Sequence, residues 1–417
     1  MAQTEFFDAL ETRSTAQRES EQMAALARQV AHAQAHSTAF AEILQGVDAP
    51  EIHSRDALAR LPVTRKSALL ERQRAQRTTD VFGGFSALVR GPQMRRVFAS
   101  PGPIYEPEGV TQDYWRAGRC LFAAGFRAGD LVHNAFSYHM TPGAFILESG
   151  AHAVGCSVFP AGTGQTEQQL QAIADLRPDA YTGTPSFLRI LVDKAMELDS
   201  DIGSLRKAVV GGEAFPPSLR DWFTERGLAV YQSYATADLG LVAYETKARE
   251  GLVLDEGVIV EIVRPGTGDP VPEGEVGELV VTTLNPAYPL IRFGTGDLSA
   301  ILPGHCPTGR TAPRIKGWMG RADQTTKVRG MFVHPSQVAD IARRFPQVRK
   351  ARLVVSGEMA NDHMCLQVEA SEADEGLRTL IETAVRDVTK LRGQVELVQP
   401  GSLPNDGKVI EDARTYQ

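Results

Sequence analysis

Apolar positions recur at helical spacing near the start of the chain. Met23, Leu26, Ala27 and Val30 fall on one stripe of a segment otherwise rich in Ala, Gln, Glu and Arg, which predicts a helix over 15–35. From about 110 to 245, helical patterns alternate with short apolar runs. Helices are predicted over 111–125, 167–175, 185–198 and 216–226, and strands over 131–136, 180–182 and 207–210. Such alternation implies an α/β fold, with doubly wound, mainly parallel sheets and ligands at their carboxyl edge. Between 251 and 302 the texture changes to short β-runs broken by Gly and Pro, as in 258–263 and 278–283, which predicts a compact antiparallel β unit. Past Gly320 come a β-rich stretch, a helix near 335–344, strands over 351–355 and 363–369, and a helix over 374–390. The expected organisation is a large N-terminal domain, 1–319, and a small α+β C-terminal domain, 320–417.

Composition narrows the classes. A chain of 417 residues with 42% hydrophobic and 23% charged residues can bury a large core and still carry a second domain. The 44 basic and 51 acidic side chains leave a formal charge of −7, against wholesale attraction to nucleic acid or anionic lipid. One basic stretch stands out: Arg65, Lys66, Arg72, Arg74, Arg77, Arg90, Arg95 and Arg96. It reads as a solvated helical face or as a rim that attracts a phosphorylated ligand. No run is long and apolar enough to span a bilayer and the N-terminus is polar, so the expected location is cytoplasmic, with no membrane partner. A homodimer is allowed for.

Several short motifs carry chemistry. At the end of an apolar strand stands Val209-Val210-Gly211-Gly212-Glu213-Ala214, where paired glycines let a flat ligand approach the backbone. Next comes Tyr231-Gln232-Ser233-Tyr234-Ala235-Thr236-Ala237-Asp238. A third runs Leu290-Ile291-Arg292-Phe293-Gly294-Thr295-Gly296-Asp297; an ionised Asp there can accept from two vicinal hydroxyls. A fourth spans Gly320-Arg321-Ala322-Asp323 through Lys327-Val328-Arg329-Gly330 to Val333-His334-Pro335-Ser336-Gln337-Val338, and a fifth is Leu403-Pro404-Asn405-Asp406-Gly407-Lys408. Each has a plainer reading as a turn, a packed aromatic or a surface hairpin. Their order along one chain is what gives them weight.

In that order they resemble the adenylate-forming superfamily, and within it the phenylacetate-CoA ligases, over most of the chain and most clearly from 205 to 340. The resemblance implies that Gly211, Gly212 and Glu213 look onto adenine and that Tyr234 stacks on it. It implies that Asp238, standing where Glu is usual, helps hold Mg²⁺. Asp297 and Arg321 would meet the ribose, Asp323 would be the hinge, and Gly330 would line the coenzyme A tunnel. Lys408, in a C-terminal loop, would neutralise charge that develops between the carboxylate and the α-phosphate. In Ala135-Phe136-Ser137-Tyr138-His139-Met140-Thr141-Pro142-Gly143, the candidates for an acyl pocket are Phe136, Tyr138 and His139.

The chain also departs from the family pattern. A phosphate loop rich in Ser, Thr and Gly and ending in Gly-Lys is expected where Val97–Gly109 stands. Ser100, Gly102 and Gly109 remain, without the threonines or the lysine, while three prolines remove amide donors and Glu106 and Glu108 add negative charge. Many relatives bind structural zinc. Here His305 and Cys306 remain with Thr308 where a second Cys is expected, so no structural zinc is expected. The implied activity is an ATP-dependent ligation of an aryl or arylacetic acid to coenzyme A through an acyl-adenylate, with ATP/AMP, Mg²⁺ and coenzyme A as cofactors. Two alternatives stay open: a nucleotide- or acyl-CoA-binding homologue without turnover, and an enzyme with another acyl acceptor.

Overall fold

The computed structural model describes residues 5–322, 326–328, 331–357, 362–371, 374–406 and 408–414. The chain divides into two compact units, and each draws on separated stretches of sequence. The first comprises Met1–Val260, Val281–Phe293 and Leu302–Gly317, and the second Glu261–Val280, Gly294–Ile301 and Trp318–Gln417.

The first unit opens on helix α1 (Thr15–His36), whose N-cap Ser14 accepts from the amide of Gln17 and whose apolar stripe buries Met23, Leu26 and Val30. Helix α2 (Lys66–Ala75) precedes an antiparallel hairpin of β1 (Met94–Ser100) and β2 (Ile104–Gly109). Helix α3 (Gly118–Ala123) is shorter than the pattern predicts. Its start is set by Asp113, whose two carboxylate oxygens accept from the amides of Ala117 and Gly118 at 2.8 and 2.9 Å, so the residues before it cannot join the helix.

The expected βα alternation follows: β3 (Leu131–Asn134), α4 (Gly143–Val154), β4 (Ser157–Phe159), α5 (Thr166–Leu176), β5 (Ala180–Gly183), α6 (Pro185–Leu198), β6 (Lys207–Val210), α7 (Pro217–Thr224) and β7 (Ala229–Thr236). Parallel pairing gives the order β7-β6-β5-β3-β4. Beyond β7 the sheet turns antiparallel through β8 (Gly240–Glu245), β9 (Leu252–Leu254) and the short β13 (Arg314–Ile315). Apolar residues from both sheet faces form two cores. One is built on Trp115, Leu121, Phe126 and Leu147, the other on Leu170, Leu188, Leu191 and Phe223.

Strands β10 (Val258–Val263), β11 (Gly277–Thr283) and β12 (Phe293–Ser299) lie in the order β12-β11-β10 and account for the β-runs read between 251 and 302. Each of them begins in one unit and ends in the other. In the second unit helices α8 (Pro335–Arg343) and α9 (Glu375–Thr389) cover a sheet of β14 (Val348–Ser356), β15 (His363–Ala370), β16 (Gln394–Val398) and β17 (Ile410–Asp412), ordered β16-β15-β14-β17. Val338, Ile341, Leu353, Leu366, Ile381 and Val385 are among its core. The architecture is thus mixed α/β, with a large doubly wound part and a smaller α+β part. Among the described residues no helix is long and apolar enough to cross a membrane.

Candidate active site

In the first unit the carboxyl edge of the parallel sheet collects the early motifs. Gly211 follows β6 directly, and its amide donates to the Gly183 carbonyl at 3.2 Å. A side chain at Gly211 would place its Cβ 2.8 Å from the Ser233 hydroxyl, so only glycine lets β6 and β7 approach this closely here. Gly212 has a positive φ of +77°, and a Cβ built on it would lie 3.9 Å from the Phe136 ring. Phe136 therefore stands beside the glycine turn. Glu213 is exposed, with one carboxylate oxygen 3.4 Å from the Ser186 amide. Tyr234 sits on β7, opposite Ala243 of β8.

The other two pocket candidates differ from Phe136. The Tyr138 hydroxyl donates to Glu148 at 2.6 Å and accepts from the Asn134 amide at 2.9 Å, and its ring packs edge-on against Phe145. Burial and the Glu148 carboxylate both push that phenol upward from its ordinary value. His139 is exposed in the turn after it.

The stretch read as a reduced phosphate loop is the β1–β2 hairpin. Gly102 lies in its turn, where φ is +157°, and a Cβ on Gly109 would come within 3.0 Å of the Tyr114 ring. Ser100 donates to Glu106, which is fully buried. Burial and the nearby Asp238 carboxylate push the Glu106 carboxyl up to about 8, against the pull of the Ser100 hydroxyl. Glu108 is also buried, 2.9 Å from Arg96 and 4.0 Å from Arg95. Neither glutamate therefore offers an exposed negative charge to a phosphate, in contrast to the expectation from sequence.

Asp238 follows β7 by two residues and is buried. One carboxylate oxygen is 2.8 Å from the Lys66 ammonium. Among the described residues the other, Oδ1, has no hydrogen-bond partner, as is also true of Glu106 Oε2 and the Tyr288 hydroxyl, which burial holds well above its ordinary value. Magnesium takes oxygen ligands in near-octahedral geometry and keeps several waters. A carboxylate side chain that is 1% exposed and already carries an ammonium does not fit a hydrated magnesium ion.

In the second unit two motifs that lie 24 residues apart meet. Arg321 Nη1 is 3.1 Å from Asp297 Oδ1, and the same oxygen accepts from the Trp318 indole at 3.1 Å. Gly296, at φ +73°, makes this approach possible, because a Cβ there would lie 2.6 Å from the Arg321 guanidinium. Asp323 and Gly330 lie outside the described residues, as does Gly407. Lys408 is exposed; its amide donates to Asp406 at 3.0 Å. It helps line a cavity of about 960 Å³ together with Arg264, Val276, Phe345, Lys350 and Leu403.

Sequence reading missed Lys66, Trp318 and Arg352. Lys66 appeared only as one member of the basic stretch, and nothing local pairs it with a residue 172 positions away. The segment holding Cys306 is filled by other bonds. Cys306 Sγ lies 3.1 Å from the Thr308 hydroxyl and 3.5 Å from that of Thr246, and Arg310 donates to Thr308 at 3.1 Å. That guanidinium is buried and bonded to Glu11 at 2.6 Å, and Glu11 also accepts from Tyr244 at 3.0 Å. Among the described residues no group of three or more His, Cys, Asp or Glu could hold a metal ion.

Comparison with known proteins identifies the family. Residues 113–287 match the family model of AMP-binding enzymes and residues 330–413 that of the AMP-binding enzyme C-terminal domain. The phenylacetate-coenzyme A ligase of Thermus thermophilus is 32% identical over 396 residues, covering 86% of this chain and 87% of that protein. The phenylacetate-coenzyme A ligase of Aromatoleum evansii is 32% identical, covering 80% of this chain and 77% of that one. An open conformation of 2-hydroxyisobutyryl-CoA ligase, solved with 2-HIB-AMP and CoA, superposes with a TM-score of 0.73 at 26% identity, covering 97% of this chain and 93% of that one. The chain belongs to the AMP-binding enzyme family, together with the phenylacetate-coenzyme A ligases that match it over most of its length.

Proposed function

We propose that the protein is an ATP-dependent, AMP-forming acid–thiol ligase. An acid carboxylate attacks the α-phosphate of ATP, taken up as its magnesium complex, and pyrophosphate leaves with the broken phosphoanhydride bond. The coenzyme A sulfur then attacks the acyl carbon of the acyl-adenylate, and AMP leaves with the carboxylate-derived oxygen. Positioning and charge stabilisation supply the rate. The relatives named phenylacetate-coenzyme A ligase support an aryl or arylacetic acid as substrate.

The observation that carries this reading is the meeting of Asp297 and Arg321. An aspartate partly turned to solvent beside a half-exposed guanidinium suits a ribose, with the carboxylate accepting from the hydroxyls. In the same reading Tyr234 and the Gly211–Gly212 turn receive adenine, Phe136 borders the acyl group, and Lys408 serves the first half-reaction. Residues 320–417 form the moving part, pivoting at Asp323, with Gly330 beside the coenzyme A tunnel in the second half-reaction. The expected cellular site is the cytoplasm.

The test is a screen of carboxylic acids for AMP release. AMP that appears only with acid, and a thioester that appears only when coenzyme A is added, are the expected results. Nucleotide binding without acid-dependent AMP would favour a homologue without turnover. Acid-dependent AMP whose acyl group never reaches coenzyme A would favour another acceptor.

A further inference from the structure

Helix α2 lies along the β1–β2 turn. Gln73 bonds the backbone of Tyr105 twice, donating to its carbonyl and accepting from its amide at 2.9 Å each, and Arg74 donates to the Gly102 carbonyl at 3.0 Å. The turn itself has no basic residue between Val97 and Gly109. Its nearest positive charges therefore come from the helix.

At the first position of that helix stands Lys66. Its partner Asp238 is sealed from solvent, with a side chain 1% exposed, whereas the lysine side chain is 38% exposed. A buried carboxylate thus anchors a cation that faces outward. An ammonium has three donors, and Asp238 takes one of them. Arg65, the N-cap residue, makes no side-chain cap, so the partial positive charge of the helix N-terminus adds to that of the ammonium. Asp238 belongs to the turn that directly follows β7, the strand carrying Tyr234. Lys66 is thereby held beside that turn, and its charge also acts on Glu106 of β2.

We propose that Lys66 is a catalytic residue that binds the β- and γ-phosphates of ATP, with buried Asp238 as its positioning residue and not as a magnesium ligand. This rests on the adenylation reading above. The ammonium supplies the charge that the β1–β2 turn lacks, and a point charge on a flexible stem can follow the pyrophosphate as it leaves. Asp238 fixes the stem. Glu106, the other buried carboxyl near Asp238, adds no second negative charge while it stays protonated.

Calorimetry with ATP, pyrophosphate and AMP, each with and without magnesium, tests the assignment. Lys66→Ala alone would leave a buried carboxylate unpaired, so Lys66→Ala combined with Asp238→Asn is the main variant, and Lys66→Arg is the conservative control. The double variant should weaken ATP and pyrophosphate at least about tenfold, leave AMP within about twofold, and do so with or without the metal. Lys66→Arg should restore most of the loss. Asp238→Asn alone should weaken ATP less than the double variant does, because its amide oxygen can still accept from the ammonium, and should leave unchanged the electron paramagnetic resonance signal of Mn²⁺ added with ATP. An unchanged ATP affinity in the double variant would overturn the assignment, and so would loss of Mn²⁺ binding in Asp238→Asn. If the unaltered protein bound neither ATP nor AMP, the adenylation reading itself would fall.

Discussion

Arg352 grips Asp406 through a single guanidinium nitrogen, Nη1, which stands 2.7 and 2.9 Å from the two carboxylate oxygens, two residues ahead of Lys408. Its Nη2 reaches Glu411 at 2.6 Å, on the strand that follows the loop. The loop carrying Lys408 is therefore tied at both ends to one buried arginine on β14. Lys408→Ala should cut acyl-adenylate formation while leaving thioester formation from a supplied acyl-adenylate largely intact. Arg352→Met should lower the same half-reaction by loosening the loop. Single-turnover assays of the two half-reactions check both, and equal losses in each would remove Lys408 from the adenylation step.

Asp297→Ala removes a charged acceptor from the proposed ribose contact. AMP and ATP should both bind more weakly by about 1.5–3 kcal/mol, the usual worth of a hydrogen bond to a charged group. An AMP affinity by calorimetry equal to that of the unaltered protein would leave Asp297 a structural partner of Arg321 and Trp318.

Glu106 makes stability depend on pH with a sign that can be worked out. Burial first, and then the Asp238 carboxylate, raises its folded-state value to about 8 from the ordinary 4.5. Between those two values the folded chain binds a proton that the unfolded chain does not, so stability falls as pH rises through this window, by at most about 1.4 kcal/mol per pH unit. Glu106→Gln keeps an acceptor for Ser100 and removes the titration. Urea unfolding across the window should then show a flatter profile and a more stable variant at the alkaline end. Parallel profiles for the two proteins would contradict this account.

Near Cys306 the buried Arg310 bridges Thr308 and Glu11. Arg310→Ala should cost about 3–5 kcal/mol, because it strands Glu11, which is 1% exposed, as an uncompensated buried charge. The purified protein should carry no stoichiometric zinc by elemental analysis, and a chelator should leave its unfolding midpoint unmoved. One zinc per chain would overturn this.

Much of the fold was legible because local chemistry announced it. Helix α6 begins and ends where the pattern predicts, since Thr184 accepts from the Phe187 amide, Pro185 follows, and Asp199 takes a left-handed conformation at the end. Strands β6 and β10 match their apolar runs residue for residue. The β1–β2 hairpin was not legible. Glu106 and Glu108 occupy buried strand positions where apolar residues are expected, and Pro107 breaks the pattern between them. At the site, Asp297 and Arg321 were named for their motifs and stand together. The Lys66–Asp238 pair depended on tertiary contact, to which no sequence periodicity points.

The Trp318 bond to Asp297 has an optical consequence. Of the chain's three tryptophans, Trp115 is buried in the core, and the Trp222 ring lies 3.5 Å from the Arg189 guanidinium and 3.8 Å from that of Arg226. Trp318 is 47% exposed, with its indole N–H on the carboxylate assigned to the nucleotide. It is the indole most open to a collisional quencher such as iodide. Its emission thus works as a built-in gauge of occupancy at Asp297: nucleotide that draws on the carboxylate shifts the spectrum and screens the ring, and Asp297→Asn changes that response without adding a dye or a label.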